Sequence, residues 1–172
     1  MNIFITVGAQ LPFSRLINIF DNDDFSKILN IKAQVGNDFN IYKNIETFRF
    51  LNESEYNDLI HWADIVVSHA GMGTIITCLE YDKPLLVLGR LADLNEHRND
   101  HQTDTMSSFK DKFHNIKVFF NEESFVSFFS EVIKCSDFRI LFSKGDAVSD
   151  FNSKSLDNNL SRFISDYIKN EK

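Results

Sequence analysis

The sequence predicts an α/β domain with an open, mostly parallel sheet and helices on both of its faces. Three observations lead there. Short unbroken apolar runs, such as Ile3 to Val7, Ile65–Val67 and Leu85–Leu88, look like strands buried on both sides. Segments with apolar residues at i, i+3, i+4 and i+7 lie between the runs, as amphipathic helices require. The alternation of the two, at this spacing, implies βαβ crossovers of the Rossmann-like kind.

Ile3 to Val7 is rich in β-branched residues and stops at Gly8. Pro12 suits the first turn of a helix, followed by a face of Phe13, Leu16, Ile17 and Phe20. Ile31 to Val35 and Thr47 to Leu51 are weaker strand candidates. Asn52 and Glu55 have capping-box spacing and introduce a helix with Tyr56, Leu59, Ile60 and Ala63 on one face. After Ile65–Val67 a helix is expected over Thr74 to Tyr81, and Lys83-Pro84 leads into Leu85–Leu88. A polar loop over 89–95 then precedes a helix from about Glu96 to Phe113. Ile116 to Phe120 reads as the last strand, and Ser124 to Ile133 as a helix presenting Phe125, Phe128, Phe129 and Val132. The pattern assigns residues 1–137 to one domain and residues 138–172 to a polar linker and C-terminal helix. That helix carries Leu160, Phe163, Ile164, Tyr167 and Ile168 as one stripe, to be buried either against this domain's own sheet or against a partner.

Composition narrows the function classes. A chain of 172 residues with 43% hydrophobic content can bury a real core. A net charge of -7 offers no basic field for nucleic acid. Eighteen phenylalanines suggest a Phe-rich core with apolar surface left over for a partner. Cys78 and Cys135 lack metal-type spacing and read as buried thiols of a reducing cytosol. No signal-peptide pattern opens the chain, and no apolar run approaches the roughly 20 residues needed to cross a bilayer. The expected location is cytoplasmic.

The sharpest local signal is "SHAGMGTIITCLE", residues 68 to 80. It places Gly71-Met72-Gly73-Thr74 between a strand and a helix. In an open parallel sheet that is the ligand edge, where glycines admit a close backbone approach and a helix start offers free N–H groups. The motif suits a diphosphate; the alternative is a tight turn that needs glycine for positive φ. It is neither a dinucleotide fingerprint, whose third glycine would stand at Ile76, nor a P-loop. A second cluster, residues 95 to 102, follows the Leu85–Leu88 strand and so belongs to the same edge. Its amide, carboxylate and imidazole groups suit a polyhydroxylated ligand, or simply a solvated helix start. His97 and His101 stand one helical turn apart, but Arg98 replaces the Glu of a zincin motif and no third ligand is evident. No metal is expected.

Together "MNIFITVGAQLPF", "DIVVSHAGMGTI", "DKPLLVLGR" and "EHRNDHQ" resemble, in order and spacing, the C-terminal domain of GT-B glycosyltransferases of the family-28 type. The resemblance covers residues 1 to about 135. It points in particular to small stand-alone members: PssE-like subunits of bacterial exopolysaccharide synthesis and the catalytic subunit of the eukaryotic dolichol-linked N-acetylglucosamine transferase. It implies one half of a GT-B fold that binds a UDP-sugar as substrate, with no tightly bound cofactor. Gly8, Ala9 and Gln10, with Ser68, His69, Gly71, Met72, Gly73 and Thr74, match the loops that hold UDP. Asp100, His101 and Gln102 match the donor-sugar segment. Relatives carry a ribose-binding Glu six residues after the first loop glycine; Thr77 stands there, and Glu80 is the nearest carboxylate beyond it.

A GT-B enzyme works in a cleft between two such domains, and the other domain holds the acceptor and usually the base. The resemblance therefore implies a membrane-associated partner subunit that presents a lipid-linked glycan acceptor, with His69 only a weak candidate for the catalytic base. The expected function is the donor-binding subunit of a split, inverting hexosyltransferase in exopolysaccharide or capsule assembly. The alternative is a non-catalytic nucleotide-sugar-binding accessory subunit that stimulates another transferase.

Overall fold

The computed structural model describes residues 1–91, 94, 96 and 113–143. The chain order is β1 (Asn2–Thr6), α1 (Ser14–Phe20), α2 (Asp23–Ser26), β2 (Asn30–Gln34), β3 (Glu46–Phe48), α3 (Glu53–Trp62), β4 (Ile65–Ser68), α4 (Met72–Glu80), β5 (Leu85–Leu88), β6 (Ile116–Phe119), α5 (Glu122–Lys134) and α6 (Arg139–Ser143). The six strands form one sheet in the order β3-β2-β1-β4-β5-β6, and every neighbouring pair is parallel.

The sheet is buried on both faces because its central strands alternate between two cores. Ile3, Ile5, Val7, Ile65, Val67, Leu86 and Leu88 face one side. Phe4, Val66, Leu85 and Val87 face the other. The two-sided burial explains the unbroken apolar runs, since no position in a central strand meets water. The first core holds most of the aromatic residues. Phe20 packs edge-on against Phe125 and Phe129, and Phe119 edge-on against Phe125. Phe142 of α6 is buried in the same cluster, so packing runs into the segment that the sequence assigns to linker and tail. The second core, under α3 and α4, uses smaller residues: Ala63, Ala70, Ile75 and Cys78.

Local signals set the helix starts. Asn52 accepts from the Glu55 N–H while the Glu55 carboxylate accepts from the Asn52 N–H, the expected capping box. Asn22 and Asn121 cap α2 and α5 in the same Asx manner. Two expectations shift. Helix α1 begins at Ser14, so Pro12 lies ahead of the helix instead of in its first turn, and its carbonyl accepts from Arg90. The strand expected over Thr47 to Leu51 ends at Phe48. Helix α2 carries no buried residue, which explains why no periodicity announced it. Residues 97–112 of the helix expected from about Glu96 to Phe113, and the stripe at 160–168, lie outside the described residues.

Cys78 is buried, and burial pushes its thiol up to about 12; Cys135 is only half-buried, and both are free. Apolar surface does remain. Phe39 and Ile41, 78% and 90% exposed, sit on the β2–β3 connection near Phe50, and the Arg49 guanidinium lies 4.5 Å from the centre of the Phe39 ring. No helix among the described residues is long and apolar enough to cross a membrane.

Candidate functional site

The strand order fixes where a ligand can sit. From β1 the chain builds outward through β2 and β3, then returns to place β4 on the other side of β1. The sheet's order reverses between β1 and β4, and folds of this class bind ligands in the crevice beyond the carboxyl ends of those two strands. Thr6 and Ser68 are register partners at those ends. The Ser68 hydroxyl donates to the Thr6 carbonyl at 2.7 Å, and the Thr6 hydroxyl donates to Gln34 Oε1 at 2.8 Å. Fully buried Ser68 thus ties the crevice floor together, its hydroxyl already spent within the fold.

Above this floor the structure brings Gly8, His69 and Gly71 together. Gly8 has φ +72, a conformation that favours glycine. A Cβ added to Gly8 would lie 3.2 Å from His69 Cε1, and one added to Gly71 would lie 2.7 Å from His69 Nε2. Both glycines make room for one half-buried imidazole. Gly73 is different, because a Cβ there would meet nothing within 4 Å. Nothing described in the chain requires that residue to lack a side chain. Gly71→Ala is expected to push the His69 ring aside at a cost under about 1 kcal/mol, since the clash is with a movable ring end and Gly71 has φ -81. A displaced His69 Cε1–H resonance with a nearly unchanged melting temperature would bear this out.

Helix α4 starts bare. Its N-cap, Gly71, supplies no side-chain bond, and no acid stands in the first turn. By contrast α2, α3 and α5 each have an Asn cap and two acids there. The first-turn N–H groups and the positive end of the helix dipole therefore face the crevice without an internal counter-charge. The Thr74 hydroxyl turns away to the Tyr56 hydroxyl, 2.9 Å distant, leaving its backbone as the group near the helix start. Burial pushes the Tyr56 phenol up to about 12, so this pair stays neutral.

The loop after β1 is held by residues to which the sequence reading gave no such role. Arg90 is buried and bonds four carbonyls: those of Pro12 and Glu96 through Nη1, and those of Val7 and Leu11 through Nη2, all at 2.8–2.9 Å. Burial pulls its guanidinium down to about 10, while the Glu96 charge works in the opposite direction. Arg15 grips both oxygens of Glu96 at 2.8 and 2.9 Å and also donates to the Gly89 carbonyl. Glu96 accepts from the Leu91 N–H as well. The sequence placed Glu96 in a ligand-recognising cluster; its carboxylate is instead committed to Arg15 and Leu91. From the other side, Asn37 donates to the carbonyls of Ala9 and Gln10 at 3.1 and 3.3 Å. The available signals were a cation two residues after a buried strand, at Arg90, and a glycine two residues after β2, at Gly36.

Ala9 and Gln10 are exposed at the crevice edge. The Thr77 hydroxyl donates back to the Gly73 carbonyl at 3.0 Å. Glu80 closes α4, roughly 12 Å along the axis from Met72. Asp100, His101 and Gln102, with His97, lie outside the described residues. Among the described residues no cluster of His, Cys, Asp and Glu could hold a metal ion.

Parallel strands in this order, with a glycine-lined crevice at the switch point and a bare helix start beside it, define an open α/β domain of the Rossmann class. The profile of the glycosyltransferase family 28 C-terminal domain matches residues 2–124, and the chain belongs to that family. Over 83 residues it is 34% identical to the UDP-N-acetylglucosamine transferase subunit ALG13 of Candida albicans, covering 44% of this chain and 28% of that protein. The corresponding Debaryomyces hansenii subunit is 34% identical over 61 residues, 36% of this chain and 29% of its own length. The chain thus matches less than a third of either relative. Among solved structures, the solution structure of ALG13 superposes with a TM-score of 0.53 at 16% identity, covering 85% of this chain and 97% of that one. The kitacinnamycin glycosyltransferase does so at 0.51 and 14%, covering 83% of this chain and 37% of that one. These two likenesses confirm the fold, which is that of one half of a GT-B enzyme.

Proposed function

We propose that this domain is the donor-binding subunit of a split glycosyltransferase, taking a hexose from a UDP-sugar and passing it to an acceptor held by a partner. The observation that carries the reading is the bare start of α4 at Gly71–Thr74, set across the switch point from Gly8, with open space at Gly73. A diphosphate is the ligand whose charge matches unpaired helix N–H groups and whose bulk calls for the missing side chain. Gly8, Ala9, Gln10, His69 and Met72 border the same site. Asp100, His101 and Gln102 take the sugar hydroxyls.

In the inverting reaction the acceptor hydroxyl oxygen attacks the anomeric carbon. The bond from that carbon to the diphosphate oxygen breaks with its electron pair going to UDP, and the hydroxyl proton passes to a base. Helix N–H groups stabilise the charge that builds on the leaving diphosphate. The base belongs to the partner, since His69 is wedged between Gly8 and Gly71 in the phosphate region. The partner is a membrane-associated subunit that holds this one at the cytoplasmic face and presents a lipid-linked glycan of exopolysaccharide or capsule assembly. The names of the fungal relatives support a subunit role and UDP-N-acetylglucosamine as a first donor to try. A second reading, an accessory nucleotide-sugar-binding subunit, is favoured by Thr77, whose hydroxyl is spent on Gly73 where family members carry a ribose-binding Glu. Co-expression with the partner and a panel of UDP-sugars, with released UDP as readout, separates the two. Acceptor-dependent UDP release is expected. Donor binding without release would leave the accessory reading, and no binding of UDP by the folded chain would overturn both.

A further inference from the structure

Two side chains, one on each side of the loop after β1, hold five of the six consecutive carbonyls from Val7 to Pro12. Arg90 takes those of Val7, Leu11 and Pro12. Asn37 takes those of Ala9 and Gln10. The Gly8 carbonyl faces Gly36 so closely that a Cβ there would lie 2.5 Å from it, and Gly36 has φ +60. A peptide unit is planar, so each N–H points opposite to the carbonyl of the residue before it. The Gly8 N–H therefore points away from Arg90, the Ala9 N–H away from Gly36, and the Gln10 and Leu11 N–H groups away from Asn37. None of them has an acceptor among the described residues.

We infer that Asn37 and Arg90 are positioning residues for the donor diphosphate. By holding the loop's carbonyls from two sides they keep its unpaired amides ready for phosphate oxygens, across the crevice from the bare start of α4. Neither side chain touches the ligand. Arg90 fixes the loop from the β5 side, and it also bonds the Glu96 carbonyl. Asn37 fixes it from the β2 side, at an exposed position where little else depends on it. Their action is to pre-arrange hydrogen-bond donors, whose ordering would otherwise be charged against binding.

The inference rests on the donor-site reading, and the experiment keeps the two apart. UDP affinity of the wild type and of Asn37→Ala is measured by calorimetry, uridine affinity by NMR titration, and the melting temperature alongside. The expected result is that Asn37→Ala melts with the wild type and binds uridine equally, but binds UDP on the order of tenfold more weakly. Asn37→Asp is isosteric yet faces two carbonyls with an acceptor, and should lose more. Arg90→Lys keeps the charge but cannot reach four carbonyls, and should also weaken UDP more than uridine. A folded Asn37→Ala protein with unchanged UDP affinity, or with equal losses for UDP and uridine, overturns the positioning role while leaving the donor site intact. A wild type that binds no UDP overturns the donor-site reading, and this inference with it.

Discussion

Replacing Arg90 with methionine is expected to destabilise the domain by about 3–5 kcal/mol, the range for breaking a buried charged network on one side. The methionine fills much of the same volume, so the loss is one of hydrogen bonding. The carbonyls of Val7, Leu11, Pro12 and Glu96 lose their donor together, and the Arg90 contact over the Phe13 ring, 4.9 Å to its centre, goes as well. For a domain of this size the melting temperature should fall by roughly 10 °C. Arg15→Gln, which loses the ion pair to Glu96 and weakens the bond to the Gly89 carbonyl but leaves the four carbonyls on Arg90 in place, should cost less. Thermal unfolding followed by circular dichroism checks both. An Arg90→Met melting temperature within a degree or two of wild type would mean that water replaces the guanidinium at little cost.

Gly73→Val should remove UDP binding and leave the fold standing. The residue is exposed in the first turn of α4, and no described atom lies within 4 Å of where its Cβ would be. Valine is also the better helix former, so the melting temperature should hold or rise slightly. The branched side chain would occupy the space next to the first-turn N–H groups where the diphosphate belongs. A loss of at least roughly a hundredfold, about 2.7 kcal/mol, is expected. Calorimetry with UDP on the two proteins decides it, and equal affinities would move the ligand off α4. Gly71→Ala is the useful contrast, since its new methyl meets the His69 ring instead of empty space.

What the sequence made legible here were the features that depend on near neighbours. The central strands announced themselves because burial on both faces leaves only apolar residues at Ile3–Ile5, Ile65–Val67 and Leu85–Leu88. The Asn52–Glu55 capping box is complete within one turn, so spacing alone revealed it. The glycines of the α4 loop were readable as a strand-to-helix junction because strand, turn and helix follow one another directly. The roles of Arg90 and Glu96 were not legible, since their distant partners stand 78 to 83 residues away, Pro12 and Val7 for Arg90 and Arg15 for Glu96, and such pairing leaves no periodic trace. Asn37 escaped for the same reason. Pro12 was misplaced because a proline that suits a first helical turn also suits the loop just ahead of it, and only the Phe13 backbone at the N-cap decides between them.

The uneven dressing of the helix starts has an electrostatic consequence. At a distance, an anionic ligand meets the field of a domain with net charge -7, and is repelled. Only at contact does it meet the bare dipole end of α4, which no Asn or acid offsets. The repulsion acts over lengths that physiological salt screens within about 8 Å, whereas the attraction operates inside a single turn. Ions in the medium therefore weaken the barrier to approach more than they weaken the bound state. A site of this kind chooses its ligand by how well phosphate oxygens fit a few fixed amides, and gains little from extra negative charge placed elsewhere on the molecule.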